Sequence, residues 1–420
     1  MAKLPTESRR GRLVEQRWEG RLGALGGRQA RQSFVYSAYV PEPISQEEFA
    51  LNSTIAAAAA SADGAVRDLN QQSSETPNLE VLAPQLLRAE SVASSRIEGL
   101  ILGHRRLAQA AFHPDGRDIT ATSVLANIDA IDEAVRIAEQ ADAITPSHLV
   151  EIHEILFRGT TDEGLGGVIR EEQNWIGGAA TSPRNAEFVP PPPEYLDALL
   201  ADLCAFLDRD DLPTLIQAAI AHAQFETIHP FHDGNGRVGR ALISCVLRRR
   251  GLAPRTLSPG SLALAGKARG YVTGLTSFRN ADEEDWYTIF VDAVHAAATR
   301  ATAFAHEVAA LQRRWIEHAG NPRSDSGAAR LIALLPSAPI IDIATATTLL
   351  GGSDEQARLA IVRLEKSDIL RPLGVGKRNR AWETVGLFDL LDRFERDLGS
   401  PRRTPRPTRE PTTQEGRPPR

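Results

Sequence analysis

Between Ile228 and Arg240 the chain reads IHPFHDGNGRVGR. That window holds an imidazole (His229), a carboxylate (Asp233), a Gly-Asn-Gly turn (Gly234, Asn235, Gly236) and two guanidinium groups (Arg237, Arg240). Apolar helical runs flank it on both sides, so it reads as a loop that runs into a helix N-terminus. Successive backbone N–H groups there form a concave anion site, and the helix dipole adds partial positive charge. The glycines let the backbone come close to a ligand. Arg237 and Arg240 stand at i, i+3 and project from one face of the following helix. Together these features describe a pocket for a polyphosphate, with Asp233 placed to hold the Mg²⁺ that such a ligand brings. His229, at the loop entrance, is placed as a general base that deprotonates an incoming hydroxyl before attack on phosphorus. Each residue taken singly has a plainer role as a cap, a turn or a surface charge. Their concurrence in one short window is what points to chemistry.

The window resembles the signature of the Fic (filamentation induced by cAMP) family of protein adenylyltransferases, His-x-Phe-x-Asp/Glu-Gly-Asn-Gly-Arg-x-x-Arg. It matches every defined position, through His229, Phe231, Asp233, Gly234, Asn235, Gly236, Arg237 and Arg240. The resemblance implies transfer of AMP from ATP to a Ser, Thr or Tyr hydroxyl of a protein, with release of pyrophosphate. It implies His229 as base, Asp233 as Mg²⁺ ligand and Gly234, Asn235 and Gly236 as the phosphate nest. Asn235 would contact the α-phosphate, Arg237 and Arg240 the distal phosphates, and Phe231 would anchor the loop. Other donors containing a diphosphate serve relatives through the same nest. Tyr271 and the stretch RNADEEDWYTIF lie where the family lines its adenine slot.

Two further segments are similar to parts of the same family. Gly164–Pro193 is rich in Gly and Pro and has short β-prone pieces at 174–176 and 186–189; it looks like the flap, a β-hairpin that pairs with the backbone of the target. SVASSRIEGL places Ser94 and Glu98 at i, i+4 on a helix that Gly99 can end. This is similar to the inhibitory Ser/Thr-x-x-x-Glu-Gly/Asn motif, which implies that Glu98 pairs with Arg240 and takes the place of the γ-phosphate. In some relatives the same glutamate assists removal of AMP, so de-AMPylation is part of the expectation.

The elements that must position these residues read as mainly α. Apolar periodicity predicts a helix opening at Pro84, a helix over 119–141, one after Pro146, and others over 194–208, 213–228, 237–250 and 283–312. From Gly327 onward the order helix, short helix, helix and two short strands is that of a winged helix. The expected organisation is a basic disordered arm (1–32) whose Leu13, Trp18 and Leu22 form at most a weak helical stripe, then an N-terminal helical segment with the inhibitory helix (33–118). A Fic-type catalytic core with a β-hairpin flap (119–320), a C-terminal winged helix-turn-helix domain (321–398) and a disordered Pro/Arg tail (399–420) follow.

Composition narrows the function. The 420 residues carry a net charge of −6, with +5 on residues 1–32 and +4 on 399–420, which leaves −15 for the body. An acidic body does not favour broad nucleic-acid binding. There is no apolar run of membrane-spanning length, and the two cysteines, Cys204 and Cys245, sit inside apolar helical runs; both features fit a soluble protein of the reducing cytoplasm. A metal hydrolase built on His222, His229, His232 and Asp233 would have no use for Gly-Asn-Gly-Arg. The second alternative is a DNA-binding regulator carrying a Fic domain. Lys377, Arg378 and Arg380 stand at the tip of its wing, but Asp354, Glu355 and Glu365 oppose Arg358 and Arg363 on the recognition helix. The expected partners are ATP and a target protein, the chain itself among the candidates. A homodimer follows from family precedent, DNA only through the winged helix, and no membrane.

Overall fold

The computed structural model describes residues 10–20, 32–71, 79–113, 117–178, 181–373 and 380–399. It opens on two antiparallel strands, β1 (Gly11–Trp18) and β2 (Phe34–Pro41), with Leu13 opposite Tyr39 and Trp18 opposite Phe34. Residues 11–18 therefore depart from the expected disordered arm and from its helical stripe. The ladder partner begins sixteen residues farther along the chain, and a local spacing rule cannot see it.

Helices follow: α1 (Ser53–Gln71), α2 (Leu79–Ile97), α3 (His104–Phe112), α4 (Ile119–Gln140) and α5 (Pro146–Phe157). Helix α2 starts five residues earlier than expected, so Pro84 lies inside it. Gly99 takes φ +84°, the left-handed turn that ends such a helix without a Cβ penalty. Within the 164–193 segment the described residues pair through a single bridge, Ile176 to Phe188, and a second bridge, Ile169 to Phe231, ties the segment to the motif loop.

Next come α6 (Leu196–Leu207), α7 (Thr214–Ile228) and α8 (Asn235–Arg249), the pair on either side of the motif. Every residue of α7 is buried. Its sequence, TLIQAAIAHAQFETI, has no polar face, which is the composition of a helix surrounded by others. Its polar side chains must then find partners inside the protein. Gln217 Nε2 donates to Arg209 O at 2.8 Å, Gln224 Nε2 to Glu42 O at 3.0 Å and Thr227 Oγ1 to Ala223 O at 2.7 Å.

Two short helices, α9 (Gly260–Gly266) and α10 (Ala268–Arg279), carry the chain to α11 (Glu283–His318), a single helix of 36 residues. Its first half packs in the core around α7, and its second half in a separate core with the C-terminal elements. Those elements are α12 (Gly327–Leu334), β3 (Ile340–Ile341), α13 (Ile343–Leu350), α14 (Asp354–Lys366), β4 (Leu370–Leu373), β5 (Ala381–Thr384) and α15 (Leu387–Gly399). The strands form an antiparallel sheet in the order β3-β5-β4. Lys377, Arg378 and the expected tail from 400 lie outside the described residues. The second core also takes in Leu82, Leu86, Ala89 and Ala93 of α2, so the C-terminal elements and the Glu98 helix share one apolar interior.

Candidate active site

Helix α7 ends at His229, which adopts a left-handed conformation (φ 50°, ψ 59°), and Gly234 (φ 79°) opens α8. A non-glycine residue held there costs free energy that its surroundings must supply. The surroundings are explicit. Arg170, fully buried, donates from Nε to His229 O at 2.9 Å and from Nη1 to Glu172 O at 3.2 Å. Its Nη2 reaches Pro191 O at 2.5 Å. Asn174 Nδ2 donates to Phe231 O at 3.0 Å, and Arg170 N–H to Pro230 O at 3.0 Å. Arg170 and Asn174 thereby stitch the first part of the flap region to the motif loop, and Arg170 ties in its far end at Pro191.

Beneath the loop Phe231 is fully buried and stacks on His153, with centroids 3.7 Å apart and planes 2° from parallel. His153 Nδ1 accepts from Gly167 N–H at 2.9 Å, so its proton sits on Nε2, which donates to Asp233 O at 3.0 Å. Burial pushes that imidazole down to about 4, and it stays neutral at pH 7. Phe231 is the anchor expected of it.

His229 keeps an edge toward a cavity of about 670 Å³, a size that holds a nucleotide. Burial pushes its imidazole down to about 4, with Arg170 acting in the same direction and the Glu226 carbonyl against it, so at pH 7 it is unprotonated and able to accept a proton. Arg240 is 1% exposed and fully engaged. Its Nε donates to Ser94 Oγ at 2.9 Å, and its Nη2 to Ser94 O at 2.9 Å and Glu98 Oε1 at 2.7 Å. Burial pushes Glu98 up, but the Arg240 guanidinium outweighs it and holds the carboxyl below its ordinary value. A Cβ on Gly236 would meet Glu98 Oε1 at 2.0 Å, so the carboxylate lies directly on the backbone of the expected nest. Arg237 is buried over the Phe157 ring at 5.3 Å, its Nε without a partner, and burial lowers its pKa. The Asp233 carboxylate is 64% exposed and its Oδ2 lies 3.5 Å from Arg237 Nη2, so it is open to a cation that arrives with phosphates.

Two expected roles shift. Asn235 turns both ends of its amide on Phe231: Oδ1 accepts from the Phe231 N–H at 2.9 Å and Nδ2 donates to Phe231 O at 2.8 Å. It is a staple across the loop in this state, not a free donor to phosphate. Tyr271 lines the cavity wall, but it is buried with its hydroxyl 2.7 Å from His222 Nε2 and 3.5 Å from Arg240 Nη1, so it supports the arginine rather than opening an adenine slot.

The structure also adds residues that motif reading passes over. Glu226 precedes His229 by three positions, and its Oε2 lies 3.9 Å from His229 Nδ1. Its Oε1, His222 Nδ1 and His229 Nδ1 are all buried without a hydrogen-bond partner, and burial pushes the Glu226 carboxyl up to about 7. The signal that could have found it is the i, i+3 spacing to the imidazole on an otherwise apolar helix. Arg170 left no such signal; a single arginine in a glycine-rich loop reads as surface.

Comparison with known proteins bears on the same residues. Residues 143–247 match the Fic/DOC family and residues 56–136 the Fic/DOC family N-terminal region. Over these two segments the chain is similar to the Fic/DOC family. The chain resembles "Protein adenylyltransferase Fic" of Culex quinquefasciatus, 30% identical over 155 residues, which cover 36% of this chain and 29% of that protein. It also resembles a probable protein adenylyltransferase of Aquifex aeolicus, 41% identical over 68 residues, or 16% of this chain and 21% of the relative. The matched part spans less than a third of these curated relatives. A crystal structure of a Fic family protein from Desulfovibrio desulfuricans G20 superposes with a TM-score of 0.51 at 22% identity, over 81% of this chain and 98% of the other, and so shares the fold. No helix among the described residues is long and apolar enough to cross a membrane.

Proposed function

We propose that this chain is a protein adenylyltransferase that Glu98 holds in a latched, weakly active state. The observation that carries the reading is the Glu98–Arg240 contact lying over Gly236, in the same cavity that His229 faces. ATP would set its phosphates over the first turn of α8, whose leading N–H groups have no partner within the helix. His229 takes the proton of a Ser, Thr or Tyr hydroxyl, the oxygen bonds to the α-phosphorus, and the bond to the pyrophosphate oxygen breaks. Arg237 and Arg240 hold the distal phosphates once Glu98 withdraws. Asp233 would hold Mg²⁺, which would neutralise charge on the departing pyrophosphate. While Glu98 occupies Arg240 the triphosphate cannot settle in line for attack. With water as the attacking group and Glu98 taking its proton, the same site would break the bond from the α-phosphorus to the target oxygen, which takes a proton back from His229, and so release AMP.

The test replaces Glu98 with Gly and supplies ATP labelled on either the α- or the γ-phosphate. The expected result is α-label on protein, at least about tenfold faster than in the parent. A charge-assisted contact is worth roughly 1.5–3 kcal/mol, and the 36% exposure of Glu98 places this one toward the lower end. Label from the γ position would mean kinase chemistry, and equal α-labelling by the two proteins would remove the latch. The alternative of a DNA-binding regulator draws little support from α14 and the strands. Arg363 donates to Ala319 O at 2.6 Å, while Arg380 and Arg371 pair with Glu365 and Glu383 at 3.0 and 2.6 Å. Among the described residues, these three basic groups that could face phosphates are already paired within the protein.

A further inference from the structure

The β1–β2 hairpin has two unlike faces. The even-numbered face packs down: Trp18 sets its edge on Trp175 of the flap at 5.4 Å, Phe34 lies under the Arg184 guanidinium at 4.1 Å, and Arg12 sits over Tyr195 at 5.8 Å. The odd-numbered face looks outward, with Leu13 50% exposed and Val35 62% exposed beside Glu15, Arg17 and Ser37. Nothing among the described residues covers it. At its inner end Tyr39 joins the flap: its N–H donates to Val189 O at 2.9 Å and its ring lies 6.0 Å from Phe188. Leu13, Ser37 and Tyr39 line the same cavity as His229 and Arg240. The outward face is therefore a continuation of the wall of the reactive cavity.

A two-stranded hairpin is marginal alone, and this one holds its exposed aliphatic side chains in a fixed ladder by packing its other face on the flap. Leu13 stands opposite Tyr39 and Val35 opposite Arg17, four residues farther along, or about 13 Å of extended chain. A surface with that repeat fits another extended polypeptide, whose side chains recur at the same interval. The phosphates belong at Gly236 and Arg240, which leaves the hairpin end to the acceptor.

We propose that β1–β2 is a second docking wall for the acceptor: a protein segment bearing the hydroxyl runs out of the cavity in extended form and lays aliphatic side chains four positions apart against Leu13 and Val35. This rests on the adenylyltransferase reading and adds the substrate class to it, a flexible segment with aliphatic residues a few positions from the modified hydroxyl.

The test uses full-length Glu98→Gly protein, α-labelled ATP and a library of soluble peptides with a fixed Ser, Thr or Tyr and varied flanks. The expected result is a preference of about tenfold or more for peptides with Leu, Ile or Val at one flanking position over the same peptides with Asp there, the discrimination one apolar contact supports. In the Leu13→Asp/Val35→Asp double variant that preference should fall below about twofold, while the melting temperature stays unchanged. A Leu13→Ile/Val35→Ile variant should keep the preference. Retention of the preference by the double Asp variant overturns the proposal. So does labelling without any flank preference, or AMP release with no peptide labelled at all. If the Glu98→Gly protein releases no AMP and labels nothing, it is the adenylyltransferase reading that fails, and this proposal falls with it.

Discussion

Glu226 shows how burial sets the character of one residue. Its carboxyl is enclosed by α7 and faces Arg240 from α8, Glu98 from α2, Arg279 from α10 and the two imidazoles of its own helix. Burial raises its pKa from 4.5 to about 7, the like charge of Glu98 adds to the rise, and Arg240 and Arg279 only partly oppose it. The folded protein therefore binds this proton more tightly than the unfolded chain does. The stabilising effect is present below pH ~4.5 and is lost as pH rises toward 7. Glu226→Gln keeps the shape and removes the charge. Its unfolding free energy at pH 8 should exceed that of the parent by roughly 2–4 kcal/mol, and the gap should close near pH 4. Denaturant titrations at the two pH values check this; a gap that does not depend on pH would mean that the carboxyl is not held protonated. The motif residues were legible only together, because their types and spacing within one short window point to a phosphate site. The employment of Asn235 and Tyr271 was not, because their partners (the Phe231 backbone and the His222 ring) are chosen by packing.

Among the elements, the catalytic loop owes its shape to the flap, and Arg170 is where the two are tied. Three carbonyls, at His229, Glu172 and Pro191, converge on one buried guanidinium. Arg170→Ala would leave all three without that donor, at about 3 kcal/mol or more. Hydrogen exchange should show loss of protection around 171–178 and 186–191 well before the rest of the molecule opens. Unchanged exchange there would show that the flap is held by its other contacts. Most helices were readable because one face of each is apolar. Helix α7 was readable by length alone, since burial on all sides leaves no periodicity. Strand β1 was misread as an arm because Leu13, Trp18 and Leu22 form at most a weak local stripe, and only pairing with β2 makes 11–18 a strand. The short helices α9 and α10 lack a long apolar stripe, and their place depends on packing against α11.

At the scale of the whole molecule, the proposed Glu98 latch is not confined to the cavity. Helix α2 carries Glu98 at one end and is wedged by its apolar side chains into the C-terminal core. Polar ties reinforce this wedge. Gln85 Nε2 donates to Ser337 O at 3.2 Å, Arg105 pairs with Glu383 at 2.9 Å, and Glu395 of α15 pairs with Arg96 and lies 3.1 Å from His104. Arg96 stands two residues before Glu98, so Glu395 helps to set where the last turn of α2 lies. Burial pushes the Glu395 carboxyl up, but His104 and Arg96 outweigh it and hold it below its ordinary value. Its contribution is therefore present near neutral pH and lost on acidification. Glu395→Ala should loosen the end of α2 and raise basal AMP transfer by about two- to fivefold, the scale of a partly exposed ion pair. The same substitution in a Glu98→Gly background should do nothing further, because the latch it acts through is already gone. An equal rise in both backgrounds would place the effect of Glu395 outside the latch. A rise only with Glu98 present makes the C-terminal elements a handle on the active site, and any partner that shifts α15 would move the same equilibrium.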